Sequence, residues 1–253
     1  LNTFKLELKQ TVNNLAIPYY EKSKTVYNNT LTMTGEDKRS RLRSKNVTNN
    51  DESKQQLYLA IKTHVSNLYA ACQLAPGYGD VTLELIAGTP LYIVDDDKIM
   101  LEQFREDFFN PVMQRRTNFY TMSDTDTDPL HELPQGQIGC FVIVDYFNFK
   151  TTDIIKKYLQ SMFKALRPGG VVIFTFNNCD YPKGIDKVDE MYYCYTTGEE
   201  MTNVCTEVGF EIIKLVARDY DELDNGISWL EIKKPGTLST IRAGQGLAEI
   251  KDL

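Results

Sequence analysis

The sequence predicts an α/β fold in which a mostly parallel sheet is buried between helices. Two observations carry this expectation. The stretch from Leu68 to Asp97 reads as strand, glycine turn, short helix, strand and acid. Beyond it, apolar runs alternate with amphipathic segments as far as Ile232. That is the pattern of strands covered on both faces by helices.

The elements follow in chain order. Phe4, Leu8, Val12 and Leu15 have helical spacing, and Pro18 is expected to end that helix. A second helix is expected over Tyr19–Leu31, with Tyr20, Val26 or Tyr27, and Leu31 on one side. Gly35 to Asn50 reads as a polar loop carrying Lys38, Arg39, Arg41, Arg43 and Lys45 between flanking acids. A solvated loop is the expectation there, and a contact to a substrate anion is the sharper alternative. Asp51 or Ser53 can cap a helix through Leu57, Ala60, Ile61 and His64.

Leu68 to Leu74 is an apolar run suited to a buried strand. Ala75-Pro76-Gly77-Tyr78-Gly79 breaks it. Asp80-Val81-Thr82 opens a short helix that Gly88-Thr89-Pro90 ends. Leu91 to Val94 is the second strand, with Asp95 at its carboxyl end. Asp97 is placed to cap a helix that turns Ile99, Met100, Phe104 and Phe108 inward. A short third strand, Thr117 to Met122, leads into Ser123-Asp124-Thr125. Leu130 to Gly139 is a polar connection. Cys140 to Asp145 is a central strand, with Tyr146 just past its end. Ile154 to Leu166 is an amphipathic helix burying Ile155, Leu159, Met162 and Phe163. Gly169-Gly170 turns it into a fifth strand. Gly209-Phe210 hinges another helix onto a sixth, and Ile227 to Ile232 is an expected antiparallel partner.

Composition narrows the function classes. With 253 residues, 42% of them hydrophobic, the chain supports one sizeable domain with appendages. A net charge of −7 argues against a general nucleic-acid surface. No apolar run is long enough to span a membrane and no secretory signal is visible. The five cysteines are odd in number, without C-x-x-C spacing, and read as buried thiols in a reducing, cytoplasmic setting. The two histidines, His64 and His131, are far apart, so neither a metal site nor a His-based triad is expected. Leu1 is not a methionine, which fits a processed, trimmed or partial chain.

In an open α/β sheet, ligands bind at the carboxyl ends of the strands where the strand order reverses. The Ala75–Gly79 turn offers backbone N–H groups, and Asp95 offers an acceptor for two ribose hydroxyls. A dinucleotide and S-adenosylmethionine both suit such a unit. The dinucleotide turn G-x-G-x-x-G would place its third glycine where Thr82 stands.

Five elements in order resemble the class I S-adenosylmethionine-dependent methyltransferases. Gln73 to Gly79 resembles their first motif, with Gln73 in place of the acid and Ala75 in place of the first glycine. Asp95 to Leu101 resembles the second motif, with Asp97 in place of a serine. Ser123-Asp124-Thr125 resembles the third. Leu166-Arg167-Pro168-Gly169-Gly170 resembles the turn before the fifth strand, and Val204 to Ile213 the hinge before the sixth. The likeness spans about Leu68 to Lys234. Motifs for DNA amino-methylation, cytosine-5 methylation and ribose 2′-hydroxyl methylation are absent.

The resemblance implies a three-layer α/β/α Rossmann-like fold with a mostly parallel seven-stranded sheet, an antiparallel last strand and an N-terminal helical cap. It divides the chain into a cap and basic loop (1–66), a methyltransferase domain (67–235) and a tail or linker (236–253). It implies S-adenosylmethionine as cofactor, held by Gln73, Ala75, Pro76, Gly77, Gly79, Asp95, Asp96, Ser123, Asp124, Thr125 and Asp145. Within that set Asp95 takes the ribose and Asp124 the adenine amino group. Asp145 and Tyr146 flank the methyl side, with Tyr146 either positioning the acceptor or merely packing.

Asn177 to Gly198 leaves the same sheet edge and carries Tyr181, Tyr192, Tyr193 and Tyr195 among acids. Aromatic faces with polar groups suit a small-molecule or glycan acceptor, methylated on oxygen or nitrogen. The alternative is a lid whose tyrosines only pack. Two other functions stay open. The fold could serve as a binding or assembly module with catalysis reduced or lost, its tail contacting a partner. It could also be an NAD-dependent oxidoreductase.

Overall fold

The computed structural model describes residues 2–33, 51–77, 79, 81–108, 111–216 and 226–237. The basic cluster at 38–45, Tyr78, Asp80 and the tail from 238 onward lie outside the described residues.

The sheet has seven strands: β1 (Ala70–Leu74), β2 (Leu91–Asp95), β3 (Thr117–Thr121), β4 (Ile138–Ile143), β5 (Leu166–Asn177), β6 (Glu211–Val216) and β7 (Ile227–Lys233). Their order is β3-β2-β1-β4-β5-β7-β6. The first five run parallel, while β7 is antiparallel to both β5 and β6. The chain steps outward from β1 to β3, then returns to lay β4 on the other side of β1. The carboxyl ends of β1 and β4 are therefore the switch point, where loops diverge and leave room for a ligand.

The central strands are buried along their whole length, as their apolar runs predict. Alternation splits their side chains between two cores. Cys72, Leu74, Phe141, Ile143, Phe174 and Leu230 face one side, against Ile155, Leu159 and Met162 of α6 (Thr152–Ala165) and Met201 of α8 (Gly198–Val208). Ala71, Cys140, Val142 and Ile173 face the other. There they meet Leu57 and Ile61 of α2 (Asp51–His64), Leu85 of α3 (Thr82–Leu85), and Leu101 and Phe104 of α4 (Lys98–Phe108). The result is a three-layer α/β/α fold. The short α5 (Pro111–Gln114) precedes β3 and α7 (Pro182–Asp189) follows β5.

Local signals act as expected at several ends. The Asp97 carboxylate accepts from the N–H groups of Ile99 and Met100 at 3.0 and 3.2 Å, capping α4. Gly209 takes φ 108° and closes α8, with Phe210 packed on Phe163 behind it. All five cysteines are free and buried.

Two expectations are corrected. Pro18 does not end a helix: α1 is continuous from Asn2 to Leu31 with Pro18 inside it. Pro18 lies on the exposed side, where water can satisfy the carbonyl that loses its donor. In α4, Ile99 is exposed and Leu101 is buried in its place. The Asp97 cap starts the helix in a phase that points Leu101 and Phe104, three residues apart, at the sheet.

Candidate functional site

Every predicted site residue lies at the carboxyl edge of the sheet. After β1 the backbone is left-handed at Ala75 (φ 50°), Gly77 (φ 58°) and Gly79 (φ 90°). The Ala75 N–H donates to Val94 O at 2.8 Å, and the Gly79 N–H to Pro76 O at 3.0 Å. The turn is thus tied to β2 and closed on itself. A Cβ added at Gly77 would meet nothing within 4 Å, so this glycine borders open space. At Ala75 the left-handed conformation is strained for a residue with a Cβ.

Gln73 is buried below the turn, and its Oε1 accepts from the Thr82 hydroxyl at 2.5 Å. That oxygen secures the first turn of α3 to β1. Asp95 is buried at the end of β2, and its Oδ1 accepts the Asp97 N–H at 3.0 Å. Beside β3, the Ser123 hydroxyl stands 2.7 Å from that of Thr125 and accepts the Thr125 N–H at 3.3 Å.

Asp124 is held in a way the sequence does not announce. The Lys150 ammonium donates to its Oδ2 at 2.5 Å, and the Tyr158 hydroxyl donates to its Oδ1 at 2.6 Å. The Tyr27 hydroxyl of α1 lies near enough to feel the Asp124 charge. The resemblance assigned this carboxylate to an adenine amino group; here it is engaged by the chain itself. Asp96 joins the same group, with Oδ2 3.2 Å from the Tyr146 hydroxyl and 3.8 Å from Lys150 Nζ. Burial first, then the Asp124 charge, pushes the Tyr27 and Tyr158 hydroxyls up, so both remain donors.

After β4 the chain turns sharply. Asp145 has φ 59°, and its N–H donates to Thr175 Oγ1 on β5 at 2.8 Å. Its Oδ1 accepts from Asn148 Nδ2 at 3.3 Å. Burial pushes the carboxyl up to about 7, and the Asn148 bond opposes this only in part. Tyr146 is buried, and its hydroxyl meets Asp96, Asp124 and Tyr158. It faces this polar cluster.

The Asn177–Gly198 segment is fastened to the turn that follows β4. The Cys194 N–H donates to Asn148 O at 2.8 Å, and Asn177 Nδ2 donates to Cys194 O at 3.0 Å. Tyr193 is fully buried, edge-on to Phe149 at 5.1 Å. Tyr195 stacks on Tyr19 of α1 at 5.3 Å, and its N–H donates to Ser23 Oγ at 2.7 Å. Tyr181 and Tyr192 are partly exposed.

Sequence reasoning missed Tyr27, Asn148, Lys150 and Tyr158. Asn148 and Lys150 sit immediately past Tyr146, so their position after the central strand was the available signal. Tyr27 and Tyr158 had none, because each reaches the site from a distant helix. Among the described residues, no group of His, Cys, Asp and Glu is arranged to hold a metal ion. None of their helices is long and apolar enough to cross a membrane.

The sequence matches no protein-family model and none of the curated proteins. Solved structures do match. The CurJ carbon methyltransferase aligns with TM-score 0.58 at 12% identity, over 91% of this chain and 71% of its own. An S-adenosylmethionine-dependent methyltransferase from Mesorhizobium loti aligns with TM-score 0.53 at 15% identity, over 70% of this chain and 96% of its own. The [4+2]-cyclase SpnF aligns with TM-score 0.55 at 10% identity, over 73% and 83%. The chain has the class I methyltransferase fold.

Proposed function

We propose that the protein is an S-adenosylmethionine-dependent methyltransferase acting on a small-molecule or glycan acceptor, at oxygen or nitrogen. One observation carries this reading: the left-handed Ala75–Gly79 turn stands beside Asp95 at the sheet's switch point, with open space at Gly77. These residues fit the cofactor. The turn would pass under its methionine part, with backbone close approach where Gly77 lacks a Cβ. Asp95 would accept from the ribose hydroxyls. When bound, the cofactor supplies an electrophilic sulfonium methyl group.

The chain's part is alignment and proton handling. The lid from Asn177 to Gly198 and the β4 turn would hold the acceptor in line, which is where most of the rate gain arises. A hydroxyl acceptor must also lose its proton. Asp145 suits that role, because a carboxyl raised to about 7 accepts a proton usefully near neutral pH. The cap over the cleft is best assigned to α1 alone, since Leu57 and Ile61 of α2 belong to the core beneath the sheet. Five buried free thiols favour a reducing, cytoplasmic setting.

Calorimetry with S-adenosylmethionine, S-adenosylhomocysteine and NAD tests the reading. The sulfur ligands are expected to bind and NAD is not. Binding of NAD with neither sulfur ligand would overturn it. A second reading has one observation in its favour. The Asp124 carboxylate is already paired, which suits a binding module that has given up methyl transfer. A folded protein that binds none of the three ligands would support that reading.

A further inference from the structure

The carboxyl ends of β2, β3 and β4 enclose a polar cluster built around a buried lysine. At its centre is the Lys150 ammonium, 2.5 Å from Asp124 Oδ2 and 3.8 Å from Asp96 Oδ2. Aromatic faces enclose it, with the Tyr146 ring centroid at 4.3 Å and that of Tyr27 at 5.6 Å. The Tyr158 and Tyr146 hydroxyls approach the other Asp124 oxygen at 2.6 and 3.4 Å. The Lys150 and Asp124 side chains are 3% and 2% exposed. Two carboxylates, aromatic walls and full burial make a site built for a cation, and the chain fills it with its own.

We propose that Lys150 is a specificity determinant of the cofactor cleft: its ammonium occupies the nucleoside end and must leave Asp124 before an S-adenosyl ligand seats there. The role presupposes the cofactor reading given above. Lys150 follows the 3-10 turn Phe147–Phe149 in extended conformation (φ −111°, ψ 142°), just before α6, and carries its ammonium on a flexible four-carbon stem. Tyr27 lies over it from α1, so release involves the cap helix as well as the lysine. Leaving a buried carboxylate unpaired is strongly unfavourable, so the released form is a minor one. Observed affinity is then reduced by the fraction of molecules that are released. Only a ligand that replaces the donor on Asp124, as an adenine amino group would, recovers that loss.

The test uses the full chain and S-adenosylhomocysteine. Lys150→Met removes the internal cation, and Lys150→Met with Asp124→Asn does so while also neutralising the carboxylate that Lys150 holds most closely. Asn keeps an acceptor oxygen for an amino group. By calorimetry, the double variant is expected to bind at least about tenfold tighter than wild type. In wild type, amine acylation mapped by mass spectrometry is expected to spare Lys150 in free protein and to label it once ligand saturates. If wild type and variants bind equally and Lys150 stays protected with ligand bound, the proposal is overturned while the cofactor reading stands. If neither wild type nor variants bind, the cofactor reading fails and the role of Lys150 fails with it.

Discussion

The backbone N–H of Asp145 donates to the Thr175 hydroxyl at 2.8 Å, joining the carboxyl ends of β4 and β5. This bond fixes a left-handed residue whose carboxyl is buried. The consequence is a pH dependence. Burial raises the Asp145 carboxyl from 3.8 to about 7. The native state therefore holds this proton more tightly than the unfolded chain. Its contribution to stability is complete below the unfolded value and is lost as pH rises through the folded one. Asn tolerates a left-handed backbone, so Asp145→Asn removes the titration without adding strain. Relative to wild type, the variant is expected to gain on the order of a few kcal/mol between about pH 4 and pH 8. Urea unfolding at both pH values measures this. A gap that does not change with pH would contradict the buried, neutral carboxyl.

At Gly77, strain and space separate cleanly. Val there would be strained at φ 58°, whereas Asn accepts that conformation at small cost. A Cβ there would meet nothing within 4 Å. Gly77→Asn is therefore expected to keep its melting temperature and lose S-adenosylhomocysteine binding. Gly77→Val should lose binding together with roughly 1–2 kcal/mol of stability. Normal binding by the Asn variant would make the turn purely structural.

Asp95 gives a third test, in affinity rather than stability. If the cofactor binds as proposed, Asp95→Ala would remove charge-assisted hydrogen bonds to its ribose, worth ~1.5–3 kcal/mol. That is roughly 10- to 150-fold weaker binding of S-adenosylmethionine by calorimetry. An unchanged affinity would place the ligand elsewhere.

How far the sequence led depended on how local each determinant is. Cys140 to Ile143 is an apolar run because the strand is covered on both faces, so it was legible by itself. The Asp97 cap was legible too, because it acts on amides two and three residues away. Pro18 misled because its cost depends on which side of the helix faces water, and that is decided by docking. Asp124 shows the limit most clearly. Its position after β3 could be read, but not its partners. Lys150 lies 26 residues on and Tyr158 34, and they meet only when β3, the β4 turn and α6 converge. Gln73 is similar: its oxygen is committed to Thr82, nine residues ahead on α3.

Ser23 links α1 to the Asn177–Gly198 segment. Its hydroxyl donates to Tyr19 O at 2.8 Å and accepts the Tyr195 N–H at 2.7 Å. Ser23→Ala leaves that amide without its acceptor, at a cost of ~1–3 kcal/mol. The loss should be local. Hydrogen exchange is expected to speed up at Tyr195 and its neighbours while β1 and β4 stay protected. Uniform acceleration across the sheet would mean that α1 is part of the global folding unit rather than a cap.

The lid tyrosines should divide into packing and acceptor-facing residues. Tyr193 is fully buried between Phe149 at 5.1 Å and Tyr192 at 4.7 Å. Tyr193→Ala empties a large core volume and is expected to cost ~3–5 kcal/mol. Tyr195 is covered by Tyr19 and Tyr20 of α1, so Tyr195→Ala should loosen the cap. Tyr181 and Tyr192 keep exposed surface at the carboxyl edge, where an acceptor would lie. Replacing either by Ala should raise the acceptor KM; Tyr181→Ala should leave the melting temperature nearly unchanged, whereas Tyr192→Ala also uncovers Tyr193 and should lower it. The Phe variants tell a hydroxyl contact from a ring contact. The assay is transfer of a tritiated methyl group to separate metabolite, glycan, nucleic-acid and protein pools. The net charge of −7 disfavours a polyanion, although Asp189 and Glu190 of the lid are paired with Lys22 and Lys187. Label is therefore expected in the metabolite or glycan pool and should fall in the Tyr181 and Tyr192 variants. Label found only in DNA or RNA, and indifferent to both substitutions, would remove the acceptor class and the role of the lid together.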